Sequence, residues 1–105
     1  MRVIAVGEID WIEASGDYVS IHTGKKAWLL RGTIGEVADR CAAEGIVRIH
    51  RSTLVNLDRV TELRPLAYGD MTVVLRDGTE LKMSRHYRDA FGALGGYNSE
   101  RPRPV

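Results

Sequence analysis

The chain is 105 residues long, 44% hydrophobic and 28% charged, with a formal net charge of +1. This length fits one domain, and the composition is that of an ordinary globular protein, which excludes a fibrous or disordered chain. No apolar run approaches the roughly 18 residues that cross a bilayer, and the single cysteine, Cys41, excludes a disulfide framework. We therefore expect a cytoplasmic domain that does not contact a membrane.

The first hairpins are indicated by alternating apolar and polar residues. In "YVSIHT", residues 18–23, Val19 and Ile21 point to one side, which is typical of a half-buried strand. Residues 15–17 supply a turn before this strand, and residues 24–26 turn the chain into a further arm, "AWLLR". The pattern predicts consecutive antiparallel strands.

The preceding segment, "EIDWIEA", is also predicted to be a strand, with Ile9 and Trp11 on one face. Its acids, Glu8, Asp10 and Glu13, could suggest a catalytic carboxylate pair. Because Asp10 is opposite in phase to Trp11, we interpret these acids as the solvent side of a strand.

A helix is predicted after the second hairpin. Thr33 and Glu36 form a T-x-x-E capping box, and Gly45 ends the periodic run. The apolar residues at helical spacing are Ile34, Val37, Ala38, Cys41 and Ala42. This face is expected to cover the core, with Cys41 as a small buried residue.

The second half of the chain contains the strongest hairpin signal, Asp77-Gly78 within "MTVVLRDGTELKM". Ser84 then fits the N-cap of a second, C-terminal helix. Its apolar positions are Tyr87, Ala90, Phe91 and Leu94. We expect a frayed, flexible tail at residues 97–105, which contain two prolines and little apolar surface.

The charges are unevenly distributed along the chain. Residues 8–17 hold four acids and no base, whereas "KMSRHYR", residues 82–88, holds three bases and no acid. "RIHRSTLVN", residues 48–56, holds two bases and no acid. Each run could be a solvated edge, but the two basic segments could also share one face of the fold.

No residue pattern supports catalysis or metal binding. His22, His50 and His86 are isolated, without the spacing that metal ligands need. His50 and Ser52 lie two residues apart on a predicted turn, which is weak support for a nucleophile with its base. We therefore expect no metal, no cofactor and no enzymatic activity.

Three segments, "IDWIEASGDYVSIHT", "RIHRSTLVNLDRV" and "LRDGTELKMSR", occur in the order and at the separations of the LytTR family of bacterial DNA-binding domains. The chain resembles that family over residues 3–94. The R-x-H-R-S-x-x-V-N motif at 48–56 and the D-G-T-x-L-x-x-S-R motif at 77–85 are both complete. One departure is Ile46-Val47, where the family often has an aromatic residue.

The resemblance implies a mostly β fold of short packed antiparallel sheets, with one covering helix and a short C-terminal helix, in a single domain over residues 1–96. It also implies that loop residues, instead of a recognition helix, enter successive major grooves along one face of DNA. The candidates for base contacts are Arg51, Arg85, Tyr18 and His50. The candidates for phosphate contacts are Ser52, Lys82 and Arg88. Arg51 comes first, because a guanidinium can bond both O6 and N7 of guanine.

Several of these residues have a structural alternative. The ring of Tyr18 could cap an apolar face at a sheet edge. His50 could be a hydrogen-bonding residue inside the turn. Asn56, between Val55 and Leu57, is interpreted as a residue that ties down the turn and does not read bases.

The expected partner is double-stranded DNA, bound by two copies on direct repeats. The resemblance also implies a receiver or sensor domain, which nothing in residues 1–105 resembles, so the chain is either a stand-alone regulator or an output domain. The alternatives are a small protein- or ligand-binding module and, with less support, a hydrolase built on His50 and Ser52.

Overall fold

Strands and one main helix make up the fold in the computed structural model, which describes residues 4–89. The elements are β1 Trp11–Ser15, β2 Tyr18–Thr23, β3 Lys26–Arg31, α1 Ile34–Cys41, β4 Ile46–His50, β5 Thr53–Asn56, β6 Val60–Pro65, β7 Met71–Leu75 and β8 Glu80–Met83. Residues 85–89 are helical up to the end of the described part. The predicted fold class, mostly β with minor α, is confirmed.

The strands form two antiparallel sheets within the described residues. The larger sheet has the order β3-β2-β1-β5-β4, and the smaller one has the order β6-β7-β8. The predicted turns at residues 15–17, 24–26 and 77–78 are confirmed as hairpin connections. The "RIHRSTLVN" motif is also a hairpin, formed by β4 and β5.

The larger sheet has one apolar core on each face. On one face, buried side chains pack against α1; they are Ile9, Ile12, Val19, Ile21, Ile34, Val37, Cys41, Ile46 and Leu54. On the other face, buried side chains pack against the smaller sheet; they are Val47, Ile49, Val55, Val60, Val73, Leu75, Leu81 and Met83. The predicted covering helix and the burial of Cys41 are confirmed, and this burial raises the pKa of the Cys41 thiol.

The predicted shared face of Ile9 and Trp11 is wrong. Ile9 packs in the core under α1, whereas Trp11 packs against the core between the sheets. The reason is that β1 begins at Trp11, and Ile9 ends a 3-10 turn before the strand. The two-residue alternation of a strand therefore does not extend back through Asp10.

The sequence predicted that Asp10 lies on the solvent side of a strand, and this prediction is wrong. Its carboxylate accepts hydrogen bonds of 2.7 Å from Arg59 Nε and 2.7 Å from the Gly24 N–H, and both ion-pair side chains are only 17% exposed. Asp10 thus joins the start of β1 to the β2–β3 turn and to the segment before β6.

Helix α1 begins with the predicted capping box. Thr33 Oγ1 accepts from the Glu36 N–H at 3.2 Å, and Glu36 Oε1 accepts from the Thr33 N–H at 3.0 Å. Hydrogen bonds from Thr33 lower the pKa of the Glu36 carboxyl. A 3-10 turn at Ala42–Glu44 follows the helix and ends at Gly45, whose φ of 78° is the left-handed conformation that glycine favours.

The second helix begins after Ser84, but an acid from another loop caps it. The Arg85 N–H donates to Asp70 Oδ1 at 3.0 Å. Tyr87 in this helix is partly buried. The other predicted apolar positions of this helix, Ala90, Phe91 and Leu94, and the predicted tail at 97–105 lie outside the described residues.

Asn56 has the structural role that the sequence predicted. Its side chain, in a residue only 4% exposed, donates from Nδ2 to the Ile9 carbonyl at 2.8 Å and accepts at Oδ1 from the Asp58 N–H at 3.0 Å. The amide therefore joins the end of β5 to the segment before β1, residues that are far apart in the chain.

Asn56→Ala is expected to lower the free energy of unfolding by about 1–3 kcal/mol, because it leaves the buried Ile9 carbonyl without its donor. Urea denaturation measures this change. Leu29→Ala, at a residue 70% exposed, is the control and should change stability little. An Asn56→Ala protein as stable as this control would contradict the assigned role.

Candidate nucleic-acid interface

The turns that carry the predicted site residues lie at one end of the larger sheet. Strand β1 pairs with β5 so that Glu13 is opposite Thr53, and the Ala14 N–H donates to the Ser52 carbonyl at 2.8 Å. The β4–β5 turn is therefore next to the β1–β2 turn. Tyr18, directly after the latter turn, lies at the same end of the sheet.

The β4–β5 hairpin fixes His50 and Ser52 to each other. His50 Nδ1 accepts from the Ser52 N–H at 3.3 Å and lies 2.9 Å from Ser52 Oγ. Because a backbone N–H can only donate, Nδ1 is the acceptor and the ring proton is on Nε2. His50 is thus a hydrogen-bonding residue of the turn through Nδ1, while Nε2 has no partner among residues 4–89 and can donate to a ligand.

Arg48, which the sequence analysis did not assign to the site, holds the same turn. Its Nε donates to the His50 carbonyl at 3.4 Å, and its Nη2 donates to the Arg51 carbonyl. The Arg48 guanidinium also lies 5.7 Å from the ring centre of Tyr87 in the second helix. The signal for this role was its position two residues before His50, beside a turn whose carbonyls need donors.

Arg51 is exposed at the tip of the hairpin. Its guanidinium makes no hydrogen bond or ion pair with any other described residue, although its own carbonyl is bonded to Arg48. The backbone of Arg51 is therefore fixed while all five N–H donors of its side chain are available.

The end of β8 brings Arg85 to this region. The Ser84 N–H donates to the Ile49 carbonyl at 3.0 Å, which places the start of the second helix beside β4. Arg85 is exposed, and within the described part of the chain its guanidinium has no hydrogen-bond partner. The structure therefore brings Tyr18, the His50–Ser52 turn and Arg85 to one end of the sheet.

Lys82 and Arg88 lie around the β6–β7 loop and already have polar partners. Lys82 Nζ is 3.5 Å from Asp70 Oδ2, and Arg88 donates to the Gly69 carbonyl at 3.1 Å and lies 3.8 Å from Asp89. The Lys82 and Arg88 side chains are both exposed, so their ion pairs contribute little stability. Nothing in the sequence had assigned a role to Asp70.

Tyr18 is 41% exposed, and the Arg31 guanidinium carbon lies 5.8 Å from its ring centre. The two residues are paired across β2 and β3. Arg31 was missed by the sequence analysis, although counting outward from the Gly24 turn places it opposite Tyr18. This pair adds a further cation to the same end of the sheet.

The other two histidines take part in aromatic contacts. His22 stacks on Trp11 with ring centres 3.8 Å apart, and its Nε2 is 3.3 Å from Glu13 Oε1. His86 contacts the edge of Tyr87 at 4.8 Å. Among residues 4–89, no three His, Cys, Asp or Glu side chains come together as a metal site, and no helix is long and apolar enough to cross a membrane.

The family model of the LytTr DNA-binding domain matches residues 1–96. The chain is also similar to the sensory transduction protein LytT of Enterococcus faecalis, with 22% identity over 85% of this chain and 37% of that protein. It is 25% identical to the sensory transduction protein LytR of Streptococcus agalactiae, over 82% of this chain and 36% of that protein. The chain thus spans just over a third of the length of these curated relatives.

A solved structure has the same fold. It is the LytTr DNA-binding domain of a Bacillus cereus protein described as a methyl-accepting/DNA response regulator, with a TM-score of 0.81 and 17% identity. The match covers 90% of this chain and 86% of that one.

Asp70 gives the site a measurable pH dependence. The hydrogen bond from the Arg85 N–H is the main cause that lowers the pKa of the Asp70 carboxyl below its ordinary value of 3.8. A lowered pKa in the folded state means that this bond stabilises the fold above the unfolded pKa and is lost as the pH falls through the folded one. In an NMR titration, the Arg85 amide shift should therefore have its midpoint below pH 3.8. Asp70→Asn should remove this transition, and a midpoint at or above the ordinary value would contradict the contact.

Proposed function

The chain belongs to the LytTR family of DNA-binding domains of transcription regulators, and on that premise we propose that it binds double-stranded DNA sequence-specifically through the turns at one end of its larger sheet. The observation that carries this proposal is the pair of exposed guanidinium groups, those of Arg51 and Arg85, which make no hydrogen bond or ion pair within residues 4–89 and lie on fixed backbones at that end. Such groups suit a polyanion whose groove edges are rich in acceptors.

Arg51 is proposed to read a guanine, since its free guanidinium can bond O6 and N7 together; such a pair discriminates by about 1–3 kcal/mol. Arg85 is proposed as a second base contact. Tyr18 and the Nε2 donor of His50 complete the base-contact set, and the turns enter successive major grooves along one face of the DNA. No recognition helix is needed for this mode of binding.

Ser52, Lys82 and Arg88 are proposed to bind phosphates and to set the register of the domain on the duplex. Lys82 exchanges Asp70 for a phosphate, and Arg88 exchanges Asp89. The net charge of +1 is compatible with this mode, because salt-dependent affinity follows the cations that face the DNA. Within the acidic segment, Asp10 does not oppose DNA binding, because it is paired with Arg59 near the end of β1 that lies away from the turns.

One copy offers a small interface, so we propose that specific occupancy needs two copies on direct repeats spaced by about one helical turn or a multiple of it. We expect the second copy to bind to the same DNA molecule as the first. Each copy is proposed to bind through the single domain at residues 1–96.

The alternative functions are less well supported by the site. A ligand-binding module could use a cavity of about 560 Å³ lined by residues that include Lys26 and Trp28, but the Asp10–Arg59 ion pair in its lining is already satisfied. A hydrolase could use the 2.9 Å contact between His50 and Ser52. A catalytic His also needs a group that orients it, and no described carboxylate bonds His50. We therefore propose that the domain is not an enzyme.

The greater length of the curated relatives supports a role as the output domain of a larger regulator, with a receiver or sensor domain as the partner that carries the signal. We propose a cytoplasmic location, where the DNA of a bacterial cell is found. A stand-alone regulator would use the same DNA contacts.

Arg51→Ala is expected to weaken binding to a preferred duplex by about five- to a hundredfold and to relax the base preference at one position, since it removes a bidentate base contact. Fluorescence anisotropy at two salt concentrations measures both the affinity and its salt dependence. Lys25→Ala is the matched control, because it removes the same charge from an exposed turn at the opposite end of the sheet. Equal affinities for the two variants would contradict the role of Arg51.

Selection of bound duplexes from a random pool should yield a motif that occurs as a direct repeat with a spacing near one helical turn. The physical reason is that sites one helical turn apart lie on the same face of the duplex, so two copies bound there are neighbours and can stabilise each other. The wild-type domain is used for the selection, and footprinting of a selected duplex gives the number of bound copies. A single, non-repeated site occupied with full affinity would overturn the proposal of direct repeats.

A further inference from the structure

The loop between β6 and β7, residues 66–70, is closed by its own backbone and lies against the basic residues of the site. The Leu66 N–H donates to the Asp70 carbonyl at 2.8 Å, which brings the two ends of the loop together. At one end of the loop, the Asp70 carboxylate accepts the Arg85 N–H at 3.0 Å and lies 3.5 Å from Lys82 Nζ. The loop is therefore attached to two of the proposed DNA contacts.

Gly69 brings two arginine side chains against the same loop. Its carbonyl accepts from Arg88 at 3.1 Å. A methyl group on Gly69 would lie 3.3 Å from Arg88 Nη1 and 3.4 Å from Arg85 Cβ, so both side chains pack directly over the glycine. Its φ of +84° adds a second reason for glycine at this position.

Tyr68 projects from the tip of this loop. It is 89% exposed, and its φ of 62° and ψ of 24° are left-handed, a conformation that bulky residues rarely adopt. Among residues 4–89, Tyr68 is the only non-glycine residue with a positive φ. Its phenol has no hydrogen-bond partner among these residues. The fold thus holds a large aromatic side chain in solvent, in a strained conformation, on a loop whose next two residues, Gly69 and Asp70, contact Lys82, Arg85 and Arg88. Retained strain of this kind is a feature of binding sites.

We propose that Tyr68 is a further DNA-contacting residue, whose hydroxyl donates a hydrogen bond to a phosphate oxygen beside the groove that Arg85 enters. This inference rests on the proposed function. A phosphodiester offers acceptors only, and the phenol supplies a donor next to the cations that attract the backbone. The Asp70 carboxylate accepts the Arg85 N–H, and this bond remains when Lys82 moves to a phosphate, so part of the Asp70 charge stays compensated in the complex.

The hydroxyl is tested with Tyr68→Phe, which keeps the ring. The probe is a duplex of mixed sequence, titrated by anisotropy between about 50 mM and about 200 mM salt. We expect the variant to bind about two- to tenfold more weakly at every salt concentration, because it loses one solvent-exposed hydrogen bond. The slope of log affinity against log salt should not change, because tyrosine releases no counterion. Lys82→Ala should instead reduce that slope by about one.

A second variant separates binding from folding. Tyr68→Gly removes the side chain and allows the positive φ without strain, so the melting temperature should be unchanged or higher while DNA binding weakens. A structural role would instead lower both together, and that result would overturn the inference.

The outcomes distinguish this inference from the function on which it rests. If Tyr68→Phe binds as tightly as wild type while Arg51→Ala binds more weakly than Lys25→Ala, the Tyr68 contact is wrong and the proposed function stands. A loss seen with Tyr68→Ala but not with Tyr68→Phe would also overturn the hydrogen bond to phosphate. If wild type binds no duplex at low salt, both the Tyr68 contact and the proposed DNA-binding function are wrong.

Discussion

The coverage of the larger sheet on both faces is the constraint on which the rest of the structure depends. Helix α1 packs on one face and the smaller sheet packs on the other, so the centre of the sheet is apolar on both sides. Polar side chains with free donors must then lie at strand ends and turns. The strand pairing brings two turns and the end of β8 to the same end of the sheet, which is where the candidate interface lies.

The candidate interface is organised by hydrogen bonds that leave its guanidinium groups free. Arg48 satisfies the carbonyls of the β4–β5 turn, and His50 accepts the N–H of Ser52. Asp70 accepts the N–H of Arg85 in the same way. Supporting residues thus fix the backbone, and the side chains of Arg51 and Arg85 remain available. A contact made by a fixed backbone costs less conformational entropy on binding than one made by a mobile loop.

Local signals predicted much of this fold. The Asp77-Gly78 turn, the Thr33–Glu36 capping box and the alternation in β2 each depend on neighbouring residues, and the structure confirms all of them. Asn56 was also assigned correctly, because an amide between two apolar residues, Val55 and Leu57, needs a backbone partner.

Features that depend on distant residues could not be predicted in this way. The position of β5 between β1 and β4, and the pairing of Asp10 with Arg59, join segments that no local pattern relates. Asp70 looked like an ordinary loop acid, since its partner Arg85 follows only after another hairpin. The two basic motifs did suggest a common surface, but the Ser84–Ile49 bond that joins them appears only in three dimensions.

An NMR titration of the ¹⁵N-labelled domain with a selected duplex tests the central claim, that one end of the larger sheet is the DNA-binding surface. Large amide shift changes are predicted at residues 15–18, 50–52 and 84–88, with little change at the β2–β3 turn of the opposite end. The largest changes on the exposed outer strand β3, around Leu29, with none at the three predicted segments, would contradict the account.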